Sequence, residues 1–365
     1  MSTANDAGYV AVRTTAALTA MDHVAALRVR GGDAFAAVDK VVSGKLLVRD
    51  GQMLHTLVLH ESGHPLADLY VCRDDADLLV LAEGLTGLEL SEHLSSHLPD
   101  GLDVQVDDLR ETHDVLSLNG PFAWEVLADW LGPDVVGIPY LTFFHLSRRE
   151  LGDDGHGGDL PGVIFRAGKT GEFGYDLLLP RERLEQVRDQ LAAVGEPLGL
   201  GRASLSDLDQ CALENGFFDI RRGPFDGLTP IELQLQWRVS YLKAYVGADA
   251  LARRRARGPE RRLATFACDE EVERGEPVFW CDREIGRVWS AGASPIRGDW
   301  IGQALIETSL AHPGIDAFVA ARGSRTTPIR TLSAPVINNR SLYVDPRRHS
   351  ARFRDDEGFP PLVLR

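Results

Sequence analysis

Cysteine and long apolar runs are scarce in this chain. Its 365 residues include four cysteines, Cys72, Cys211, Cys268 and Cys281, and no two of them form a CxxC pair. That spacing argues against a disulfide framework and a cysteine zinc site, and it suits a reducing compartment. No run approaches the length of a membrane span, and Ala16 to Ala20 is too short for the apolar region of a leader peptide. A cytoplasmic protein with no membrane partner is expected. Positive charge is also short, with 39 Lys and Arg against 54 Asp and Glu and a formal net charge of −15. That balance argues against nonspecific binding to nucleic acid or anionic lipid. It leaves room for a small anionic ligand held by a local basic patch.

The remaining composition is that of a folded globule. Hydrophobic residues make up 44% and charged residues 25%, so disorder is not expected. The length allows two or three domains with substantial cores. The chain opens with a frayed segment, Met1 to Gly8. A strand from His23 to Arg30 then leads through Gly31-Gly32-Asp33 into a helix with Phe35, Val38 and Val42 on one face. Next comes a hairpin, His55 to His60 and Leu66 to Cys72, around Glu61-Ser62-Gly63-His64. Alternation puts Leu66, Asp68, Tyr70 and Cys72 on one face of the return strand.

His55, His60 and His64 gather at this turn, and His93 and His97 are spaced i, i+4 on a helix. Neither set has carboxylate or cysteine partners at diagnostic spacing, so no metal site is expected. Val115 to Ala123 reads as a strand, a cap at Asn119 and a helix start near Pro121. Gly152 to Gly162 reads as a mobile loop. Leu184, Val187, Leu191 and Val194 form a helical core stripe. Arg253 to Arg262 reads as a solvated basic linker and a domain boundary. Beyond it, short strands at Leu263–Cys268, Pro277–Cys281, Ile285–Ser290, Ile301–Ile306 and Ala317–Ala320 suggest a small β-barrel.

The stretch Lys169-Thr-Gly-Glu-Phe-Gly-Tyr-Asp176 lies between two strand-like runs, Val163 to Arg166 and Tyr175 to Leu179. Gly171 and Gly174 bracket Glu172 and allow a tight bend and close approach. With Arg166 the stretch resembles the R-T-G-Y-T-G-E-x-G-F-E signature of the glycine-cleavage aminomethyltransferase (T-protein) family. Further segments follow in the family's order. His23 to Ala34 is similar to S-H-M-G-x-x-x-V-x-G-x-x-A. Leu59 to Val71 is similar to N-x-x-G-G-x-x-D-D-L-x-V and retains the second aspartate as Asp68, while His60 stands for the asparagine. Leu116 to Ala123 resembles L-A-L-Q-G-P-x-A, and Gly286 to Pro295 resembles G-x-I/V-T-S-G-x-x-S-P. Leu228 to Leu251 resembles T/N-P-x-E-x-x-L-x-W…F-x-G-x-x-A-L and includes Trp237. Departures are Lys169 for tyrosine, Asp176 for glutamate, and Arg202-Ala203 where the family has alanine then arginine. On a helix, that one-residue offset would turn Arg202 by about 100°.

The resemblance implies an α+β fold of two interleaved ferredoxin-like units, residues 1–258, and a C-terminal β-barrel domain, residues 259–365, around a central cavity. It implies tetrahydrofolate, or a 5-substituted derivative, in that cavity. By this reading Asp176 accepts the ring N–H and the exocyclic amine of the pteridine. Lys169, Thr170, Gly171, Glu172, Leu59, His60, Arg202 and Trp237 are the other folate-contact candidates, and Asp68 is the catalytic one. The function expected is a tetrahydrofolate-dependent one-carbon transferase or demethylase with a non-standard small-molecule donor or acceptor. Two alternatives stand beside it: a folate-binding regulatory protein without turnover, and a true glycine-cleavage aminomethyltransferase working with a lipoyl carrier protein.

Overall fold

A computed structural model describes residues 6–147, 150–151, 160–353 and 358–363. Most of the expected loop at Gly152–Gly162, and most of the expected frayed segment Met1–Gly8, lie outside the described residues. A six-stranded sheet runs edge to edge through Leu200–Arg202, Ala16–Ala20, His113–Asn119, Gly174–Pro180, Val163–Phe165 and Phe143–His145. Only its Ala16–Ala20 and Leu200–Arg202 pair is parallel. A five-stranded antiparallel sheet runs through Met53–Leu59, Pro65–Asp74, Asp77–Glu83, Ala25–Arg30 and Gln105–Asp108. The second sheet is therefore spliced into the first between Ala20 and His113, and the two units interleave.

Strand alternation explains how these sheets pack. On one face of the six-stranded sheet, Leu116, Leu118, Leu177 and Leu179 meet Val126 and Leu127 of helix Ala123–Leu131 and Val187 and Leu191 of helix Leu184–Gly195. On one face of the five-stranded sheet, Leu27, Val29, Leu69, Val71 and Val80 meet Val38 and Val41 of helix Ala34–Val41 and Leu90 and Leu94 of helix Gly87–Ser96. The remaining faces meet each other, with Tyr70, Cys72, Leu79 and Leu81 against Val115, Val163, Phe165 and Leu178. Asp68, two residues before Tyr70, shares this inter-sheet face, whereas Leu66 packs on the helix side. Phe35 is 37% exposed, because the buried stripe of its helix is Ala34, Ala37, Val38 and Val41.

The barrel closes with six strands in the order Arg261–Cys268, Asp299–Glu307, Arg283–Ser294, Pro277–Trp280, Phe318–Arg322 and Arg325–Leu332. The last strand carries Pro328, and a proline inside a run hides a strand from pattern reading. The first half of the expected linker Arg253–Arg262 is instead the end of helix Ala248–Arg257, and its last two residues begin the first barrel strand. After Leu332 the chain leaves the barrel and returns to the N-terminal units. There Ala351 N–H donates to Glu125 at 2.7 Å, and the N–H groups of Arg340 and Ser341 donate to Glu172 at 3.0 and 2.8 Å.

A buried polar knot locks this return. Arg13, on helix Ala7–Thr14, is fully buried and donates to Glu214 (2.5 Å), the Thr170 carbonyl (2.7 Å) and Asn339 Oδ1 (3.1 Å). Its Nη1 lies 3.5 Å from Glu172 Oε1. Buried charges persist only when paired in this way. Glu172→Ala removes one carboxylate from Arg13 and the acceptor shared by the Arg340 and Ser341 N–H groups. A loss of about 3 kcal/mol in urea unfolding is expected, with faster proteolysis across residues 338–353.

Candidate active site

The five-stranded sheet offers two carboxylates to the other unit. Asp68, mid-strand, and Glu83, at the end of its neighbour, pair directly in register. Two acids side by side need a cation between them, and Lys169 supplies it from the turn joining Val163–Phe165 to Gly174–Pro180. Its Nζ lies 2.6 Å from Glu83 Oε1 and 2.9 Å from Asp68 Oδ2. The first contact is a hydrogen bond; the second is ionic, off the line of a directed bond. Asp68 Oδ1 also accepts from Arg238 Nη1 at 2.7 Å and His55 Nε2 at 2.8 Å. A carboxylate only accepts, so the His55 hydrogen sits on Nε2.

Burial pushes the Asp68 carboxyl up, but Arg238, Lys169 and His55 outweigh it and hold it well below the usual range. Burial lowers His55 to about 4, with Arg238 and Lys169 adding to the fall, so the ring is neutral at neutral pH. Burial likewise opposes ionisation of Glu83, yet Lys169 and the His23 contact hold it low. Lys169 is held charged by Asp68 and Glu83 against the pull of burial.

Above this cluster lies a cavity at the junction of both sheets and helix Leu205–Glu214. Its walls include Tyr70, Leu208, Phe218, Glu83, Lys169 and Asp176. Glu83 faces it, tied also to Arg221 at 3.1 Å, and Arg221 in turn pairs with Asp209 and Asp219. Asp68 does not line it: its side chain has no exposure and lies beneath Lys169 and Tyr70. Asp176 is the cavity carboxylate with no ion pair. Its one hydrogen bond is from Ser117 Oγ, at 2.6 Å. Burial raises its carboxyl to about 6; the Ser117 bond opposes the rise, and Glu83 adds to it.

Residues 1–243 match the GCVT N-terminal domain family, and residues 261–337 match the glycine cleavage T-protein C-terminal barrel domain. The chain belongs to the glycine cleavage T-protein family. It is 30% identical to an aminomethyltransferase of Streptomyces coelicolor over 90% of this chain and 88% of that one. It is 27% identical to an aminomethyltransferase of Bacillus pumilus over 86% of each. The fold is that of the glycine cleavage system aminomethyltransferase T from Bartonella henselae, with a TM-score of 0.79 and 22% identity over 90% of this chain and 88% of that one.

Within this T-protein fold the ten residues named from sequence separate. Asp176, Lys169 and Thr170 reach the cavity, and Asp68 supports it from beneath. Glu172 points away and receives the returning C-terminal segment. Gly171, at φ +80°, packs its backbone where a Cβ would lie 2.5 Å from the side-chain oxygens of Asn215 and Asn339. Leu59 is buried against Ile231 and Leu251, and His60 is exposed at the hairpin tip, stacked on His64 at 4.6 Å and bonded to Ser62. Trp237 lines a second groove with Trp289 and His312, and meets the cluster edge-on at His55, 6.0 Å between centroids, and beneath the Arg238 guanidinium, 4.7 Å from the ring centroid. Arg202 ends a strand, not a helix, and lines a third groove with Glu185 and Arg188. Among the described residues no group of three His, Cys, Asp or Glu is arranged to hold a metal, and no helix is long and apolar enough to cross a membrane.

Sequence reading passed over Glu83, Arg221, Arg238 and Ser117. Nothing local marks them, since the contacts that join Glu83 to Lys169, Arg221 to Glu83, Arg238 to Asp68 and Ser117 to Asp176 span 59 to 170 positions along the chain.

Asp176 holds its proton more tightly folded than unfolded. Its contribution to stability is therefore fullest below the ordinary value of 3.8 and is lost as pH rises through about 6. Asp176→Asn should match the wild-type Tm near pH 4 and exceed it above pH ~6. Lys169→Met, which strips both acids of their shared cation, should cost about 3–5 kcal/mol in urea unfolding at pH 7.

Proposed function

We propose that the chain is a tetrahydrofolate-dependent one-carbon transferase whose pteridine edge sits on Asp176. The observation that supports this reading most is the lone carboxylate itself. Glu83, Asp209 and Asp219 are all neutralised by cations, whereas Asp176 has acceptor capacity to spare. A pteridine edge carries a ring N–H and an exocyclic amine, and bonds from such donors to a charged acceptor are about twice as strong as neutral ones. Tyr70, Leu208 and Phe218 supply apolar surface for the flat rings. Bound there, tetrahydrofolate supplies the ring nitrogen that carries the one-carbon unit.

The chain's own residues provide orientation and a fixed field. Glu83, held ionised at the cavity wall and paired with Lys169 and Arg221, fixes the turn that carries Asp176. Asp68 acts one layer behind, setting the position of Lys169. Its side chain has no exposure and lies outside the cavity wall, so its role in catalysis is positional. The donor is proposed to differ from the aminomethyl group of glycine cleavage. Lys169 places a charge where the family pattern has a tyrosine, and Asp176 is one methylene shorter than the family glutamate.

A second reading is favoured by the similarity to proteins named aminomethyltransferase in Streptomyces and Bacillus: transfer from an aminomethyl group on a lipoyl carrier. Ammonia release from such a donor in the presence of tetrahydrofolate would establish it over the first.

Tetrahydrofolate and its 5-methyl and 5-formyl forms should each raise the Tm. A hundredfold excess over Kd corresponds to about 2.7 kcal/mol. Asp176→Ala should abolish the shift, while Arg202→Ala and His60→Ala should leave it in place. Absence of a shift with all three folates would remove the assignment.

A further inference from the structure

Asp176 is one end of a chain of side chains. Ser117 stands directly opposite it on the neighbouring strand and donates Oγ–H to Asp176 Oδ1 at 2.6 Å. Asn119, on the same face two residues on, donates Nδ2–H to Ser117 Oγ at 2.8 Å. Thr170 Oγ donates to Asn119 Oδ1 at 3.3 Å. Ser117 and Asn119 are buried, at 2% and 1% exposure. The loop is shaped around them: a Cβ on Gly174 or Gly168 would come within 2.9 or 3.1 Å of Asn119 Oδ1.

The direction of the chain follows from its charged end. A hydroxyl has one hydrogen, and a carboxylate only accepts. Turning the Asn119 amide over would draw the Ser117 hydrogen to Asn119 and set two oxygens, 2.6 Å apart, against each other without a proton between them. The arrangement that leaves no such clash runs Thr170 to Asn119 to Ser117 to Asp176. Thr170 is itself fixed, since its carbonyl accepts from Arg13 at 2.7 Å and Asn215 at 2.9 Å.

We propose that Ser117 and Asn119 are positioning residues for the folate-binding carboxylate. They commit one lone pair of Asp176 Oδ1 to the protein, set the plane of the carboxylate, and leave Oδ2 and the second Oδ1 lone pair for the pteridine edge. The segment this chain resembles has alanine at the place of Ser117 and glutamate at that of Asp176. The hydroxyl therefore accompanies the shorter acid and holds it where a longer one would hold itself. The inference rests on the folate reading of the cavity for its ligand, but the hydrogen-bond relay can be tested without one.

The affinity of 5-formyltetrahydrofolate is measured between pH 5 and 8.5 for the wild type, Ser117→Ala, Ser117→Thr and Asn119→Ala. Wild-type affinity should rise with pH as Asp176 ionises. Ser117→Ala should move that midpoint up by about one pKa unit, weakening binding about twofold at pH 7 and about tenfold at pH 5. Ser117→Thr, which keeps the hydroxyl, should restore the midpoint, and Asn119→Ala should move it in the same direction by less. A role in packing alone would weaken binding equally at every pH, and an unmoved midpoint in Ser117→Ala would overturn the proposal. Should the wild type bind no folate, the functional reading fails. The relay is then decided by the carbon-13 titration of the Asp176 carboxyl, assigned by its loss in Asp176→Asn. An upward shift in Ser117→Ala supports the relay and an unchanged titration overturns it.

Discussion

One ammonium group between two carboxylates ties this structure together. Lys169 belongs to the six-stranded sheet's turn, and Asp68 and Glu83 belong to the five-stranded sheet. The apolar contact between the sheets supplies most of the adhesion, as burial of Tyr70, Leu81, Phe165 and Leu178 requires. That adhesion is non-directional and would tolerate sliding. The ion triad does not, because each acid left alone would be a desolvated charge. It fixes the turn 169–176 against the strand end at Glu83, and the cavity is the space those two features bound.

The same triad divides labour among acids that look alike in sequence. Asp68 is held by Arg238, His55 and Lys169, and Glu83 by Lys169, His23 and Arg221. Glu172, three residues after Lys169, faces the other way and anchors Arg340 and Ser341. A single short turn thus ties three parts of the chain: its own sheet, the opposite sheet and the C-terminal return. The glycines between these side chains let successive residues point in such different directions, most clearly Gly171 with its positive φ.

Much of the architecture was legible because it is local. Alternation marked the hairpin Met53–Leu59 and Pro65–Asp74 and put Asp68 on the face of Tyr70 and Cys72. Spacing of Gly, Asp and Pro marked five barrel strands, and the ordered motifs carried the family. Pro328 concealed the sixth strand, and the run of arginines at 253–257 read as linker because a charged helix face and a solvated loop share a composition. Of the site residues that the motifs named, Asp176, Lys169 and Thr170 face the cavity. Leu59, His60 and Arg202 matched or neighboured motif positions, yet the fold turns them into core, hairpin tip and separate groove. Glu83 carried no signal at all, since its significance begins with a lysine 86 residues away.

The charge pattern in and beneath the cavity limits which acids can exchange protons. Asp68 and Glu83 are held ionised by their cations, and His55 is held neutral by burial and by neighbouring Arg238 and Lys169. Moving a proton to any of these at neutral pH means working against those partners. Asp176 differs because burial acts on it without a paired cation, which brings its carboxyl to about 6. A general acid or base is most effective when its pKa lies near the working pH. On the proposed folate reading, the carboxylate that would hold the heterocycle is also the one suited to give up or take a proton, and Ser117 would set the balance between those two roles.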